Sequence, residues 1–187
     1  MLAFDIETTG LRIGEDRVTC ACAYDPSAGV ERGFNLAKGV EEGDDAEEFF
    51  GLLDRADRLC AFNGVAFDVP FLQAQYGLCE RRVRAWVDKL FDVYALSRRH
   101  LRRGFSLNAL LGANGLECKT GKGSDAVALA REGRWDELLS YCMHDARQTH
   151  AVSSLPCILL PYQRRVGLLC TGQFVSLVGQ GGRAEHY

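Results

Sequence analysis

The sequence lacks most of the marks that would place it outside the class of ordinary folded domains. No apolar run approaches the roughly 18 residues that a membrane span requires, so nothing in it reads as a transmembrane segment. The N-terminus has neither a basic leader region nor a small-residue cleavage pattern, so no secretory signal is expected. The expectation is an intracellular, soluble chain without membrane contact, cytoplasmic or nuclear being left open. The eight cysteines, Cys20, Cys22, Cys60, Cys79, Cys118, Cys142, Cys157 and Cys170, contain no C-x2-C pair and no accompanying histidine spacing. That argues against a zinc site and predicts reduced thiols in the core. No internal repeat or low-complexity linker divides the chain, and 187 residues at 47% hydrophobic suffice for one good core.

The net charge of −3 does not mark a nucleic-acid binder, but the charge is unevenly placed. Glu41, Glu42, Asp44, Asp45, Glu47 and Glu48 form an acidic block. Arg81, Arg82, Arg84, Lys89, Arg98, Arg99, Arg102 and Arg103 form a basic stretch interrupted by Asp88 and Asp92. Such asymmetry gives an acidic protein a face that attracts phosphates. A solvated helix face produces the same pattern, so charge alone does not choose.

The first residues, MLAFDIET, alternate strictly: Leu2, Phe4 and Ile6 point one way and Ala3, Asp5 and Glu7 the other, as a strand requires. Strands at 17–24 and 30–37, separated by Asp25, Pro26, Ser27 and Gly29, complete an antiparallel meander. Phe49, Leu52, Leu53 and Ala56 recur at helical spacing over 44–57, with Asp44 or Asp45 suited to the N-cap. A buried strand over 58–63 and a helix over 68–78, opened by acid and then Pro70, make a strand, turn and helix unit. The stretch 83–88 is expected to be the last strand, and 90–101, 105–112, 124–132 and 135–152 are expected to be helices. After Pro156 the pattern weakens, and 179–187 reads as a loose end. This predicts an α/β fold, with a domain over 1–155 and an extension over 156–187.

Three separated acidic spots stand out. Asp5 and Glu7 lie on one face of an otherwise apolar strand, with α-carbons about 6 to 7 Å apart. Burying them requires a cation or hydrogen-bond donors, unless that face is wet. Asp68, in AFNGVAFD, sits where a strand passes into a helix. It serves there either as a cap or, beside Asn63 and Phe67, as part of a grip on a nucleotide. Asp145 lies on a helix whose buried stripe is Trp135, Leu138, Leu139, Cys142, Ala146 and Thr149. At about 100° per residue, Tyr141 shares Asp145's flank one turn earlier, whereas His144 and His150 fall off that line. An exposed helix acid would look the same in isolation.

Together these spots form an ordered series: D-x-E on the first strand, N-x-x-x-F-D at a strand-to-helix junction, and Y-x-x-x-D on a late helix. The series FDIETTG, FNGVAFD and YCMHD, spanning about residues 1–155, resembles the three motifs of the DEDD superfamily of 3′–5′ exonucleases. The position five residues before Asp145 is Ser140 rather than histidine, and Tyr141 stands four before it, as in the tyrosine branch. FSLNALL, followed by Lys119, Asp125 and Trp135, is similar to the exonuclease domains of family B DNA polymerases. No polymerase domain accompanies these motifs, and the expectation is a free-standing exonuclease of that type.

The resemblance implies an RNase H-like fold, a mixed sheet of antiparallel meander and parallel strands flanked by helices. It also implies release of nucleoside 5′-monophosphates from the 3′ end of DNA. Four carboxylates are hard oxygen ligands that select Mg²⁺ or Mn²⁺, and two such ions about 3.5–4 Å apart serve phosphodiester cleavage. By resemblance, Asp5 bridges both ions, Glu7 and Asp145 complete the nucleophile's metal site, and Asp68 supports the second, partly through water. A tyrosine with an ordinary pKa near 10 is neutral at pH 7, so Tyr141 is suited to orienting the attacking water. Asn63 and Phe67, with the backbone near Thr8 and Thr9, are implied to hold the terminal nucleotide, with Leu11 wedged against its base. Single-stranded DNA 3′ ends are the expected partner, and RNA ends are the alternative. A non-catalytic nucleic-acid-binding module and a polymerase partner in trans are further readings that no single residue decides.

Overall fold

A computed structural model describes residues 1–37, 44–101, 104–118 and 123–161, together with three later strands. The alternating N-terminal run forms β1 (Leu2–Thr8), which pairs antiparallel with β2 (Val18–Asp25). A short 3-10 turn, Pro26–Ala28, leads to β3 (Val30–Asn35), antiparallel to β2. Asp25 caps that turn by accepting hydrogen bonds from the Ser27 amide and hydroxyl. On the other side, β1 is parallel to β4 (Leu59–Ala61), and β4 to β5 (Leu90–Asp92). The order β3-β2-β1-β4-β5 is the expected mixed sheet, with β1 at its centre.

Strand alternation divides the core into two layers. Leu2, Phe4 and Ile6 face α1 (Asp44–Arg55), α2 (Asp68–Tyr76) and α3 (Glu80–Asp88), where Phe49, Leu53, Leu72 and Trp86 are fully buried. Complete burial of such side chains contributes roughly 1.5–3 kcal/mol each. The opposite face is covered by α7 (Trp135–Ser153), whose Leu138, Cys142 and Ala146 pack on Cys20 and Cys22 of β2. Before α7 come α4 (Val93–Leu101), α5 (Leu107–Ala113), which Ser106 caps, and α6 (Gly123–Glu132). Among the described residues no helix is long and apolar enough to cross a membrane.

Three expectations are overturned. Residues 83–88 are not a strand but lie within α3: Val83, Trp86 and Val87, at helical spacing, pack on the α1 side of the core. The last strand of the main sheet is instead β5, within the first residues of the expected helix 90–101. Asp92 ends it and caps α4 by accepting the Ala95 N–H at 2.9 Å. The expected loose end at 179–187 contains a strand, β9 (Glu185–His186), which with β6 (Cys157–Leu160), β7 (Val166–Cys170) and β8 (Gln173–Leu177) forms a second, antiparallel sheet. Its first strand packs on the domain: Ile158 and Leu160 are buried beside Leu110 and Val152, and the Asn114 amide bonds both the N–H and the C=O of Leu159 at 2.8 Å.

The cysteine expectation also fails in part. Cys20, Cys22, Cys60 and Cys142 are free and buried, but Cys79, at the N-cap of α3, and Cys118 are free and exposed. Cys157 is disulfide-bonded, and it faces Cys170 in the β6–β7 register. The α1 cap also differs from the expectation at Asp45, whose carboxylate accepts the Asn35 N–H at 3.2 Å from within the first turn of the helix.

Candidate metal and substrate site

Asp5 and Glu7 project from β1 towards α7, and their register partners on β2 are Cys22 and Cys20. Cys22 in turn pairs with Gly33 on β3. This row is small for a reason: a Cβ on Gly33 would lie 3.1 Å from Leu139 Cδ2, so the missing side chain lets α7 lie close to the sheet. Cys142 reinforces the contact, its thiol donating to the Asp5 carbonyl at 3.4 Å. Burial pushes that thiol's pKa well up, which keeps it neutral.

The close approach brings Asp145, on α7, to the β1 acids. Ligand oxygens of Asp5, Glu7 and Asp145 all lie within 4.8 Å of one another, with Asp145 only 6% exposed. Carboxylates this crowded and this dry repel one another unless a proton or cation compensates. An all-oxygen donor set fits a hard divalent cation such as Mg²⁺ or Mn²⁺.

Asp68 reaches the same region differently. It is not the side-chain cap of α2, whose N-cap is Phe67. The β1–β4 pairing stops at Ala3 and Cys60, and beyond it Asp68 Oδ1 accepts the Ile6 N–H at 3.1 Å. The carboxyl stands between the two β1 acids in register, though outside the three-acid cluster. Burial, helped by the nearby charge of Asp92, raises its pKa to about 7 against the pull of its own N–H and, more weakly, that of Ile6.

Asp92 is the site-building residue that the sequence pattern hides among interruptions of the basic stretch. At 2% exposure its Oδ1 accepts the N–H of Asn63 at 3.0 Å and its Oδ2 that of Val65 at 2.9 Å, in addition to the Ala95 cap. These bonds hold the turn between β4 and α2, where Asn63 adopts the left-handed conformation (φ 68°) that asparagine tolerates better than most residues. Gly64 follows because a Cβ there would meet Ala61 Cβ at 2.6 Å. The signal that could have revealed Asp92 is its place at the end of a short apolar run directly before a helix.

A cavity of about 530 Å³ gathers nearly every residue singled out from the sequence. Asp5, Glu7, Asp68, Tyr141 and Asp145 line it, as do Thr8, Leu11, Asn63 and Phe67. Leu11 is 81% exposed at this cavity. Thr9 is the exception: it lines a neighbouring cavity on the other side of the loop. His144 is not part of the lining and pairs with Gln148 at 2.8 Å, while His150 packs edge-on against Tyr24.

Much of the basic stretch has structural partners. Arg82 binds Asp54 through two nitrogens and lies over the Phe50 and Trp86 rings. Lys89 donates to the carbonyls of Asp54 and Ala56 at the end of α1, and Arg84 pairs with Asp88. Arg81 and Arg98 are exposed, and Arg102 and Arg103 lie outside the described residues.

A family profile described as the RNase_H superfamily matches residues 2–155, and the chain belongs to that superfamily. No curated protein matches it. Among solved structures, the family B DNA polymerase of the hyperthermophilic archaeon Pyrobaculum calidifontis superposes with a TM-score of 0.62 at 20% identity, covering 81% of this chain and 24% of the polymerase. The chain thus spans about a quarter of that protein's length. A protein described as the apo form of a nuclease gives a TM-score of 0.55 at 19% identity, covering 80% of this chain and 68% of the other. An Escherichia coli exonuclease I structure with an oligonucleotide matches more loosely, with a TM-score of 0.43, 16% identity, and coverage of 90% of this chain and 53% of the other. At these identities the likeness is one of fold.

Proposed function

We propose that the protein is a metal-dependent 3′–5′ exonuclease of the tyrosine branch of the DEDD superfamily, acting on single-stranded DNA. The observation that carries this reading is the convergence of Asp5, Glu7 and Asp145 within 4.8 Å, in a cavity also lined by Asp68 and Tyr141. Asp5, Glu7 and Asp145 would hold one divalent cation, and Asp5 with Asp68 a second. Mg²⁺ or Mn²⁺ bound there neutralises charge on the attacking and leaving oxygens of a phosphodiester.

The chain's own residues do the rest. Tyr141, one helical turn before Asp145, orients the attacking water by hydrogen bonding. Asn63 and Phe67, on the turn held by Asp92, grip and stack the terminal nucleotide, and Leu11 wedges it from the preceding one. Water oxygen bonds to phosphorus, the bond from phosphorus to the upstream O3′ breaks, and a nucleoside 5′-monophosphate leaves a strand shortened by one.

The test is the product ladder from an end-labelled oligonucleotide with and without Mg²⁺, using matched DNA and RNA strands. Stepwise shortening of the DNA from its 3′ end, abolished by a chelator, is expected. Internal cleavage, loss from the 5′ end or metal-free activity would sink the proposal, and faster shortening of the RNA would reassign the substrate.

A further inference from the structure

Beside the catalytic cavity lies a second one, of about 280 Å³, separated from it by the end of β1. Neighbouring residues of this segment divide between the two: Thr8, Gly10 and Leu11 line the catalytic cavity and Thr9 the second. Helix α6 divides in the same way. Val127 lines the catalytic cavity and Ala130 and Arg131 the second, about one turn or roughly 4.5–6 Å further along the helix. The two cavities therefore adjoin, with the Thr8–Leu11 segment and α6 as shared walls.

The walls of the second cavity are braced without using its charged groups. Thr9 and Arg17 are joined through their backbones and the Thr9 hydroxyl, and the Gln75 amide bonds both the N–H and the C=O of Val18. The guanidiniums of Arg17 and Arg131 form no ion pair among the described residues, and both residues are exposed. Trp135, the first residue of α7, is half-buried and adds a flat aromatic surface. Among the described residues no carboxylate or histidine lines this cavity, and its charged lining groups are both guanidiniums. Two guanidiniums beside an indole are the donor set that takes a base by stacking and a phosphate by charge. The volume lies just below the roughly 300–1,000 Å³ typical of small-ligand sites, which suits one nucleotide unit.

We propose that this cavity receives an upstream nucleotide of the single-stranded substrate, with its base against Trp135 and its phosphate between Arg17 and Arg131. The inference rests on the exonuclease reading for the position of the 3′ end, but the cavity's affinity for nucleotide units is measurable without catalysis.

The experiment compares the parental protein with Trp135→Ala, Trp135→Phe and the double variant Arg17→Ala/Arg131→Ala. Two substrates are used in Mn²⁺: a ten-nucleotide oligo(dT), and the p-nitrophenyl ester of thymidine 5′-monophosphate, which fills only the catalytic cavity. KM for the oligonucleotide is expected to rise about tenfold in Trp135→Ala and in the double variant, within the range for loss of one base–aromatic stack. Its kcat and the hydrolysis of the ester should not change, and Trp135→Phe should restore most of the loss.

An unchanged oligonucleotide KM, or equal damage to both substrates, overturns the proposal. If Trp135→Ala does not fold, the double variant of exposed arginines decides. If the parental protein hydrolyses neither substrate, the exonuclease reading has failed. The cavity is then judged by fluorescence anisotropy of labelled oligo(dT) in EDTA: tenfold weaker binding by the double variant supports it and equal binding overturns it. Thymidine 5′-monophosphate competing as well as the oligonucleotide in that assay would assign the cavity to a free nucleotide and overturn the strand assignment.

Discussion

Asp92 holds Asn63 in place from across the end of the sheet: its carboxylate accepts the Asn63 N–H at 3.0 Å over a separation of 29 residues. Replacing it by asparagine keeps the shape but turns one acceptor into a donor facing the Asn63, Val65 or Ala95 N–H. A buried donor left unsatisfied costs about 1–3 kcal/mol. Asp92→Asn is therefore expected to lower the thermal midpoint by several degrees and to raise KM for the oligonucleotide more than it lowers kcat, because the turn carrying Asn63 loosens. Unaltered melting and kinetics would show that the turn holds itself.

Crowded carboxylates make a prediction about stability as well as activity. Without metal, Glu7→Gln relieves repulsion with Asp5 and Asp145 and is expected to melt no lower than the parent. With Mn²⁺ added, the parent should gain stability by mass action, about 2.7 kcal/mol at a hundredfold excess over Kd, and the variant clearly less. Thermal denaturation with and without Mn²⁺ measures both. An equal gain in the two proteins would mean that the ion binds elsewhere.

Tyr141 and His144 separate the chemistry of α7 from its packing. Tyr141→Phe should lower kcat roughly ten- to a hundredfold, as loss of a positioned hydrogen bond at the reacting water does, with the far-UV spectrum and melting unchanged. His144→Ala removes only the partner of Gln148 and should leave kcat within about twofold, on the scale of one partly exposed hydrogen bond. Single-turnover rates for the two variants provide the check; inactivity of His144→Ala with its fold intact would reverse the assignment.

Asp54 anchors the α1–α3 contact and should make it sensitive to acid. Burial pushes its pKa up, but hydrogen bonds from Arg82 and Trp86 outweigh that, and the folded-state value lies below the ordinary one. Its stabilising effect is fully present above the unfolded pKa, about 3.9, and is lost as the pH falls through the lower folded value. Asp54→Asn is expected to cost roughly 1 kcal/mol at pH 7, discounted because the Arg82 pair is partly exposed; the gap begins to narrow below about pH 4 and closes only below the lower folded-state value. Urea titrations at pH 7 and about pH 2, below the folded-state value, test this; a gap that persists at the lower pH would assign the effect to packing.

The local patterns carried much of the fold. Strict alternation over Leu2–Thr8 required a strand with apolar and acidic faces, and the heptad-like spacing of Leu138, Cys142, Ala146 and Thr149 required a helix with Tyr141 and Asp145 on one flank. Local pattern failed where the burial was unusual. Val83, Trp86 and Val87 alternate too loosely to distinguish a strand from a helix until Trp86 finds its hydrogen bond to Asp54. The three residues of β5 are too few to show any period, and the C-terminal strands gain their identity only by pairing with one another.

By itself, then, the sequence determined which side chains share an element and a face, because the periods of strand and helix are properties of the local backbone. Distances between elements were decided only by the tertiary structure. The small row of Asp5, Cys22 and Gly33 sets how near α7 comes to β1, and so whether Asp145 meets the first-strand acids. The short β1–β4 pairing leaves the Ile6 N–H for Asp68, and Asp92, buried for its hydrogen bonds, fixes the turn that presents Asn63. Thr9, one residue from the acids' strand, was turned away to a separate cavity. Such relations depend on packing and on buried polar groups finding partners far away in the chain, which no local period records.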